Sequence, residues 1–303
     1  MVNMRQILVI GSVALDTITS PSGYSKEILG GSATYFSISA SFFTRVNLVA
    51  TVGQDFQNKH RKLISSFGID TKGLETQKGK TFRWEGSYLD DLNCAKTIKT
   101  QLNVFSEFRP KIPEEYKDNK YIFLANIDPD LQLFLLRKAK GDTFIGCDSM
   151  NYWIMNKKTP LKKLIKKTSV VFLNDSEAKM FSDESNILNA GKFLISLGPK
   201  FAIIKRGEYG SMLFAKDFIF IAPAYLLDNV CDPTGAGDAF AGGFMGYLAK
   251  VDKINTNTLK KAVLHGTVMA SFTVQDFSVN KFLTINKKDI EARYKNFRKM
   301  ISI

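Results

Sequence analysis

Cysteine and histidine are scarce in this sequence, which contains 3 cysteines and 2 histidines. Cys94, Cys147 and Cys231 are scattered and form no Cys-x-x-Cys pair, so the sequence favours neither a zinc site nor a disulfide framework. His60 and His265 are too far apart in the chain to suggest a metal site, and we expect both to be structural. A reducing, cytoplasmic environment is the expected compartment.

Long apolar runs are also absent. No segment reaches the about 18 consecutive apolar residues that a membrane-spanning helix needs. The first residues lead directly into an apolar segment that glycine and aspartate interrupt, which does not fit a signal peptide. We therefore expect neither a membrane span nor a membrane partner.

Acidic residues are outnumbered by basic ones, and the net charge is +13. The excess is mostly lysine spread along the chain, without an arginine–aromatic cluster. The densest patch, residues 157–167, sets six lysines around Leu161, Leu164 and Ile165, which is typical of an amphipathic surface helix. We expect no nucleic-acid partner, and a general attraction to anionic substrates instead.

The chain does contain a series of alternating strands and helices. Ile7–Ile10 is a short apolar run before Gly11, as expected of a strand that is buried on both faces. Similar alternation later in the chain predicts an α/β fold with a mainly parallel sheet. The predicted strands are 46–52, 121–125, 143–147, 169–173 and 201–204, and the predicted helices between them are 55–67, 130–140, 160–167 and 187–197.

Residues 76–109 break this pattern. Thr81–Tyr88 and Gln101–Phe105 alternate polar and large side chains, which is typical of half-exposed antiparallel strands. We expect a small separate sheet over the substrate side, built from about 13–29 and 79–109. Arg83 lies in this segment, and it is expected either to pair with Glu85 or to contact a polar or anionic part of a substrate.

Asp232–Phe244 carries the most specific signal. Its small residues, with Gly235 and Gly237 at the turn, predict a loop that leads into a buried helix. The first amides of such a helix have no intrahelical partner and form a site for phosphate. Asp238 would repel that phosphate unless it takes a proton from an attacking hydroxyl. The alternative is an ordinary acidic residue that the helix dipole favours in the first turn.

Further polar residues stand at predicted strand ends or helix starts. Gly30 to Thr34 opens a second glycine-led helix, either because its amides reach a ligand or because the helix packs tightly. Asn126 and Asp148 end strands and are expected to face the same cleft. Asn174 and Glu177 are spaced for a capping box or for a site that positions magnesium.

Three segments together resemble the signatures of the PfkB/ribokinase family of sugar and nucleoside kinases. These are Asp232–Phe244, Gly30–Thr34 and the Asn-x-x-Glu pattern of Asn174–Glu177. The resemblance extends over almost the whole chain and implies one domain, 1–303, with a ribokinase-like three-layer α/β/α core and a small β-sheet lid. It also implies ATP-dependent phosphorylation of a hydroxyl on a small sugar-like acceptor.

The resemblance implies a role for each candidate site residue. Asp238 would be the general base, and Gly235, Ala236 and Gly237 would form the anion hole. The implied acceptor contacts are Asp16, Gly30, Gly31, Ser32, Arg83 and Asn126. The implied ATP contacts are Asn174, Lys205, Gly207, Gly210, Ser271 and Gln275, although Lys205 could instead be a solvated lysine. The implied metal contacts are Glu177 to Mg²⁺ through water, and Asp232 and Thr234 to K⁺.

The chain departs from the family pattern at three positions. Tyr35 and Ala14 stand where ribokinases usually have asparagine, so the ribose contacts of those asparagines are not expected. Ser278 stands where the family often has glycine, beside the monovalent-cation site. Two alternatives remain: a nucleoside kinase, with Trp84 and Tyr88 stacking on the base, and a catalytically silent nucleotide-binding scaffold. A homodimer through the lid is also expected.

Overall fold

The computed structural model describes residues 5–89, 91–93, 95–137, 139 and 141–302. Cys94 and the end of the predicted helix at Lys138 and Lys140 lie outside these ranges. Within the described residues the strands are, in chain order, β1 (Gln6–Ile10), β2 (Ala14–Ser20), β3 (Gly23–Gly30), β4 (Arg45–Gly53), β5 (Asp70–Gln77), β6 (Phe82–Ser87), β7 (Lys96–Gln101), β8 (Tyr121–Leu124), β9 (Phe144–Asp148), β10 (Val170–Asn174), β11 (Phe201–Lys205), β12 (Ser211–Ala215) and β13 (Ile219–Ala222).

The helices lie between the strands and in the C-terminal third. They are α1 (Ser32–Ser41), α2 (Asn58–Ser66), α3 (Pro129–Leu136), α4 (Asn151–Asn156), α5 (Lys158–Ile165), α6 (Asp175–Ser182), α7 (Ile187–Ser196), α8 (Ala236–Val251), α9 (Thr256–Thr273), α10 (Asn280–Leu283) and α11 (Lys287–Met300). The helices and strands predicted for the core are present, with ends that differ by a few residues. The lysine-rich segment forms α5, which buries Leu161, Leu164 and Ile165, as predicted.

A nine-stranded sheet forms the centre, in the order β13-β12-β11-β10-β9-β8-β1-β4-β5. Its strands from β11 to β5 pair in parallel, and β12 and β13 add an antiparallel edge. In β1, Ile7 and Val9 join one hydrophobic cluster while Leu8 and Ile10 join the other, because successive side chains point to opposite faces. Helices α1, α8, α9 and α11 cover the first face and α3, α5, α6 and α7 the second. The predicted three-layer α/β/α core is confirmed.

A second, four-stranded sheet has the order β3-β2-β6-β7. The small sheet is therefore confirmed, but the strand predicted at Gln101–Phe105 is wrong. Asn103–Glu107 forms a 3-10 helix, and the strand precedes it as β7. Asn103 has a φ of 49°, which ends the extended backbone, and Phe105 stacks between Phe82 and Phe108. The large residues that alternate in this segment thus reflect the stacking of Phe105 with Phe82 and Phe108, and they do not mark a strand.

The two glycine-led helices pack closely against each other. Gly242 in α8 faces α1 so tightly that a Cβ atom there would lie 2.4 Å from the Phe36 carbonyl oxygen and 2.8 Å from Ser39 Cβ. The Ser39 hydroxyl donates to the Ala239 carbonyl across the same contact, at 2.6 Å. Small residues in α8 therefore fix the position of its N-terminus relative to the start of α1.

We predict that Gly242→Ala destabilises the protein by about 1–3 kcal/mol, because the added methyl group has no space between α8 and α1. Chemical denaturation measures the change in unfolding free energy. Gly141→Ala is the matched control, since a Cβ at Gly141 has no atom within 4 Å. Equal stabilities of the two variants would contradict the tight contact between the helices.

Candidate active site

Polar side chains collect along one edge of the large sheet. The carboxyl ends of the parallel strands β1, β8, β9, β10 and β11 lie side by side there. Asn126, Asp148, Asn174 and Lys205 come at or just after the ends of β8 to β11. Asp16 lies in β2, just beyond β1. The structure therefore places residues from five separate chain segments at this edge of the large sheet.

The loop before α8 has the geometry of an anion site. Gly235 caps the helix with a φ of 75°, and a Cβ there would lie 2.2 Å from the Tyr35 ring, so only glycine fits. The amide of Ala236 donates to the Pro233 carbonyl at 3.1 Å. Within the described part of the chain, the amides of Gly235 and Gly237 donate to no other group. Two of the three predicted donors are thus available to a ligand.

Asp238 follows in the first turn of α8 and is half-buried. Its burial raises the pKa of the carboxyl from the usual 3.8 to about 7; the nearby Asp148 adds to the rise, and Lys205 opposes it. A carboxylate whose pKa lies near neutrality can accept a proton during a reaction and release it afterwards. The alternative, in which the helix dipole favours an acidic residue in the first turn, agrees with this position. It does not explain why Asp148 and Lys205 lie nearby.

Lys205 is enclosed by carboxylates. Its Nζ lies 3.0 Å from Asp148 Oδ2, with only 17% of the Lys205 side chain and 4% of the Asp148 side chain exposed. Burial disfavours the ammonium form, but Asp148, Glu177 and Asp238 together raise the pKa of Lys205 above its usual 10.5. A Cβ on Gly237 would lie 2.8 Å from Nζ, which places the charge beside the N-terminus of α8. Lys205 is not a solvated surface lysine.

Asn174 and Glu177 form the capping box. The Asn174 side chain accepts from the Glu177 amide and Glu177 Oε2 accepts from the Asn174 amide, both at 2.8 Å. Burial raises the pKa of Glu177 to about 8, and Asp148 and Asp238 contribute while Lys205 opposes. The second carboxylate oxygen of Glu177 has no hydrogen-bond partner among the described residues and is free for a water molecule. Those residues hold no cluster of three or more His, Cys, Asp or Glu side chains that could bind a metal alone.

Asp16 lies against the second glycine loop. Its Oδ2 accepts from the Gly31 amide at 3.4 Å, and a Cβ on Gly30 would lie 1.8 Å from the same oxygen. Burial raises the pKa of Asp16 to about 7, opposed by the Gly31 amide. Ser32 at the start of α1 is tied to Ser12, which bonds both its amide (3.1 Å) and its hydroxyl (3.0 Å). Asp16 therefore lies directly beside the loop from Gly30 to Ser32.

Arg83 does not pair with Glu85, and that part of the prediction is wrong. Its guanidinium contacts Glu27 Oε1 at 2.9 Å and Asp55 Oδ2 at 2.7 Å, and it also donates to the Thr81 carbonyl at 3.0 Å. These bonds hold the small sheet to the loop after β4. Arg83 therefore has three protein partners before any substrate arrives.

Asn126 has a partner that the sequence does not suggest. The indole N–H of Trp153 donates to Asn126 Oδ1 at 2.9 Å. Because that indole nitrogen can only donate, the bond fixes the orientation of the amide. The Asn126 NH₂ group has no partner among the described residues, so it can donate to a ligand.

The loop that contains Asp232 and Thr234 is internally bonded. Asp232 accepts from the Thr234 amide at 2.9 Å and from the Ser278 amide at 3.4 Å, and the Thr234 hydroxyl bonds to Tyr88 at 3.2 Å. Ser278 has a φ of 57°, a left-handed conformation that glycine adopts without strain.

The four remaining predicted ATP contacts lie in two places. Gly207 and Gly210 bound the short turn after β11. Ser271 and Gln275, at the end of α9, are joined by Arg293, which donates to both at 3.0 and 2.9 Å. The Arg293 guanidinium stacks on Phe272 at 3.5 Å from the ring centroid. Arg293 lies in α11, far along the chain, and no sequence signal connects it with this site.

The pKa of Asp238 predicts how stability depends on pH. Because the pKa is about 7 in the folded protein and 3.8 ordinarily, the folded state binds this proton more tightly than the unfolded state does. Its contribution to stability is complete below about pH 4 and is lost as the pH rises through about 7. Asp238→Asn avoids this loss, so its unfolding free energy relative to wild type should rise from pH 4 to pH 8 by on the order of 1 kcal/mol or more.

Thermal or chemical unfolding across that pH range measures the difference. The control is Asp217→Asn, because Asp217 is exposed in the turn between β12 and β13. A difference between Asp238→Asn and wild type that stays constant with pH would contradict the raised pKa.

Comparison with known proteins identifies the family. Residues 4–286 match the model of the pfkB family carbohydrate kinases. The chain is 32% identical over 249 residues to a cytidine kinase of Thermococcus kodakarensis, which covers 80% of this chain and 89% of that protein. The crystal structure of the Methanocaldococcus jannaschii nucleoside kinase superposes with a TM-score of 0.77 at 22% identity, covering 97% of this chain and 99% of that one. A putative ribokinase II from E. coli in complex with ATP and Mg²⁺ has a TM-score of 0.79 at 16% identity, covering 96% and 99%. The chain belongs to the PfkB family of kinases and has the ribokinase-like fold.

Proposed function

We propose that this protein transfers the γ-phosphoryl group of ATP to a hydroxyl group of a nucleoside. The observation that carries the proposal is the arrangement at the N-terminus of α8. Two amides without a protein partner, those of Gly235 and Gly237, stand beside a carboxyl whose pKa lies near 7. Amides at this position stabilise a transferring phosphoryl group, and the carboxylate removes the proton of the attacking hydroxyl.

The phosphoryl transfer takes place in one step. Asp238 accepts the proton of the acceptor hydroxyl, whose oxygen forms a bond to the γ-phosphorus while the bond from that phosphorus to the β-phosphate oxygen breaks. ADP leaves with the electron pair of that bond. Lys205, held by Asp148, places its positive charge next to the same helix end and lies close enough to contact a phosphate. Its charge also keeps Asp238 more acidic than burial alone would allow.

Magnesium fits the residues that are present. Glu177 has one oxygen bonded in the capping box and one without a partner, which suits contact through a water molecule. Magnesium bound to the ATP phosphates would supply neutralisation of charge. Each oxygen of Asp232 accepts one amide hydrogen, and the binding of K⁺ at Asp232 and Thr234 stays a prediction.

The acceptor contacts rest on Asp16, Gly30, Gly31, Ser32 and Asn126. Arg83 is bound by Glu27 and Asp55, so we assign it to the anchoring of the small sheet instead.

Two observations favour a nucleoside over a sugar as the acceptor. The T. kodakarensis relative is a cytidine kinase, and the M. jannaschii protein, 25% identical over 294 residues, is a nucleoside kinase.

We propose that the small sheet acts as a lid over the acceptor. Tyr88, which follows β6, reaches the Thr234 hydroxyl in the loop before α8. Trp84 lies over Gly86 within the sheet, and its indole N–H donates to Thr97 at 3.2 Å.

The edge strand β7 is exposed along its whole length, and the homodimer through this sheet stays a prediction. No helix among the described residues is long and apolar enough to cross a bilayer.

We predict magnesium-dependent release of ADP from ATP that a nucleoside stimulates, with cytidine and uridine tested beside adenosine, ribose, fructose and inositol. Asp238→Asn should lower kcat by about 10²–10⁴-fold, because the variant lacks the base. The exposed Asp217→Asn variant should be as active as wild type. Stimulation by a free sugar alone would replace the nucleoside with a sugar acceptor. ATP binding without stimulation by any acceptor would favour the scaffold alternative.

Lys205→Met should have two effects if Lys205 acts on both the phosphates and the base. KM for ATP should rise about tenfold or more, and the acidic limb of the kcat–pH profile should move to higher pH, because Lys205 no longer lowers the pKa of Asp238. Lys200→Met serves as the control, because Lys200 is an exposed lysine directly before β11. An acidic limb that stays in place in Lys205→Met would show that Lys205 does not act on Asp238.

A further inference from the structure

Trp84 lies on the face of the small sheet that is turned toward the cleft. It is paired in register with Asp16 of the neighbouring strand β2, and the side chains of paired residues share one face of a sheet. Gly86 and Tyr88 follow on that same face, because successive side chains alternate between the two faces. The Tyr88 hydroxyl bonds to Thr234 at 3.2 Å, in the loop before α8. The indole of Trp84 therefore lies beside Asp16, on the face that contacts the loop of the anion site.

The indole has a defined position but no aromatic partner. Its six-membered ring lies directly over Gly86, where an added Cβ would come within 2.1 Å of the ring. Its N–H donates to the Thr97 hydroxyl at 3.2 Å, in the adjacent strand β7. Among the described residues no other ring stacks on Trp84, and the residue is half-buried. One face of the indole thus packs on glycine, and the other is left for a ligand.

The open face of the indole is an apolar surface in a cleft that otherwise presents polar and charged groups. An aromatic ring covers such a surface well, because stacking buries apolar area and the two π-systems attract each other. Asp16, the neighbour of Trp84, is one of the proposed contacts of the acceptor. A base attached to a sugar that is held at Asp16 therefore lies within reach of the indole.

We propose that the base of the acceptor stacks on Trp84, which makes Trp84 the residue that separates nucleosides from free sugars. The inference rests on the proposed function and deepens it, since it names an aromatic base as the group that the small sheet binds. Gly86 leaves the space in which the ring lies. Tyr88 has a different task, because its hydroxyl ties the small sheet to the loop before α8.

The first test compares Trp84→Leu with Tyr24→Leu. Tyr24 is a 59% exposed aromatic residue of the same sheet, and it is paired with Thr19, which lies on the opposite face from Asp16. Trp84→Leu should raise KM for cytidine about tenfold to hundredfold and leave KM for ATP unchanged. Trp84→Phe, which keeps an aromatic ring, should recover most of this loss. Tyr24→Leu should match wild type in both constants.

The second test separates stacking from hydrogen bonding. The base of 5,6-dihydrouridine has the carbonyl and N–H groups of uridine, but it is neither aromatic nor planar. Wild type should prefer uridine about tenfold or more, and Trp84→Leu should lose this preference. If wild type phosphorylates both equally well and Trp84→Leu keeps its KM, the inference is overturned while the proposed function stands. An equal loss for both acceptors, with a lower thermal midpoint, would assign Trp84 a structural role and overturn the inference as well.

Binding can also be followed without catalysis, because the chain has only two tryptophans, Trp84 and Trp153. In the Trp153→Phe variant, uridine should quench the emission of Trp84 in the absence of ATP, and 5,6-dihydrouridine should quench it less. Unchanged emission at a uridine concentration that saturates the activity of the same variant would contradict stacking. If wild type phosphorylates no nucleoside, the proposed function fails, and this inference with it.

Discussion

Three carboxyl groups, those of Asp148, Glu177 and Asp238, lie near the ammonium group of Lys205. The proposed chemistry depends on how far the positive charge of Lys205 offsets their negative charge. Burial is the largest cause that raises the pKa of Glu177 to about 8 and the pKa of Asp238 to about 7. At neutral pH the Glu177 carboxyl is therefore mostly protonated, whereas Asp238, the proposed base, is close to half-ionised. The Lys205 charge opposes that effect, and its contact with Asp148 keeps the ammonium in place. The pKa of Asp238 therefore lies near neutrality, where a carboxylate can take a proton from an alcohol and return it to solvent. Phosphate binding at the same helix end would add negative charge and change the balance again.

The scaffold makes this balance possible because it delivers the groups from separate strands. The strands β9 and β11 end at Asp148 and Lys205, so the parallel pairing with β10 sets the positions of these two residues. Glu177 lies in the first turn of α6, directly after β10, where the capping box holds it. Asp238 arrives from the other side, on α8, and its position depends on the close contact of α8 with α1 at Gly242. The register of the sheet and the absence of a side chain at Gly242 thus decide the distances between charges.

The sequence predicts the core and the main loops because their signals are local. Apolar runs that end in glycine or a polar residue mark β1 and β8 to β11, and small residues after Asp232 mark the start of α8. The small sheet is less predictable: β7 is wholly exposed and lysine-rich, so it has no apolar alternation, while the aromatic residues after it pack in a 3-10 helix. The sequence offers Glu85 or a substrate group as the partner of Arg83, whereas its partners Glu27 and Asp55 come from distant segments. Long-range partners of this kind, like Trp153 for Asn126 and Arg293 for Gln275, follow from tertiary packing and have no local pattern.

The same contrast bears on how acceptor specificity is divided. From the sequence, a long polar side chain such as Arg83 is a candidate for contact with the substrate. Its three protein contacts instead make Arg83 a structural link between the small sheet and the core. Polar groups without a protein partner among the described residues include the Tyr35 hydroxyl and the NH₂ group of Asn126, both of which lie outside the small sheet. A buried position discriminates sharply between ligands, because a mismatched ligand leaves a buried polar group unpaired. In the proposed function, recognition of the polar groups of the acceptor therefore depends on the strand ends and on the start of α1, and the small sheet serves to exclude water.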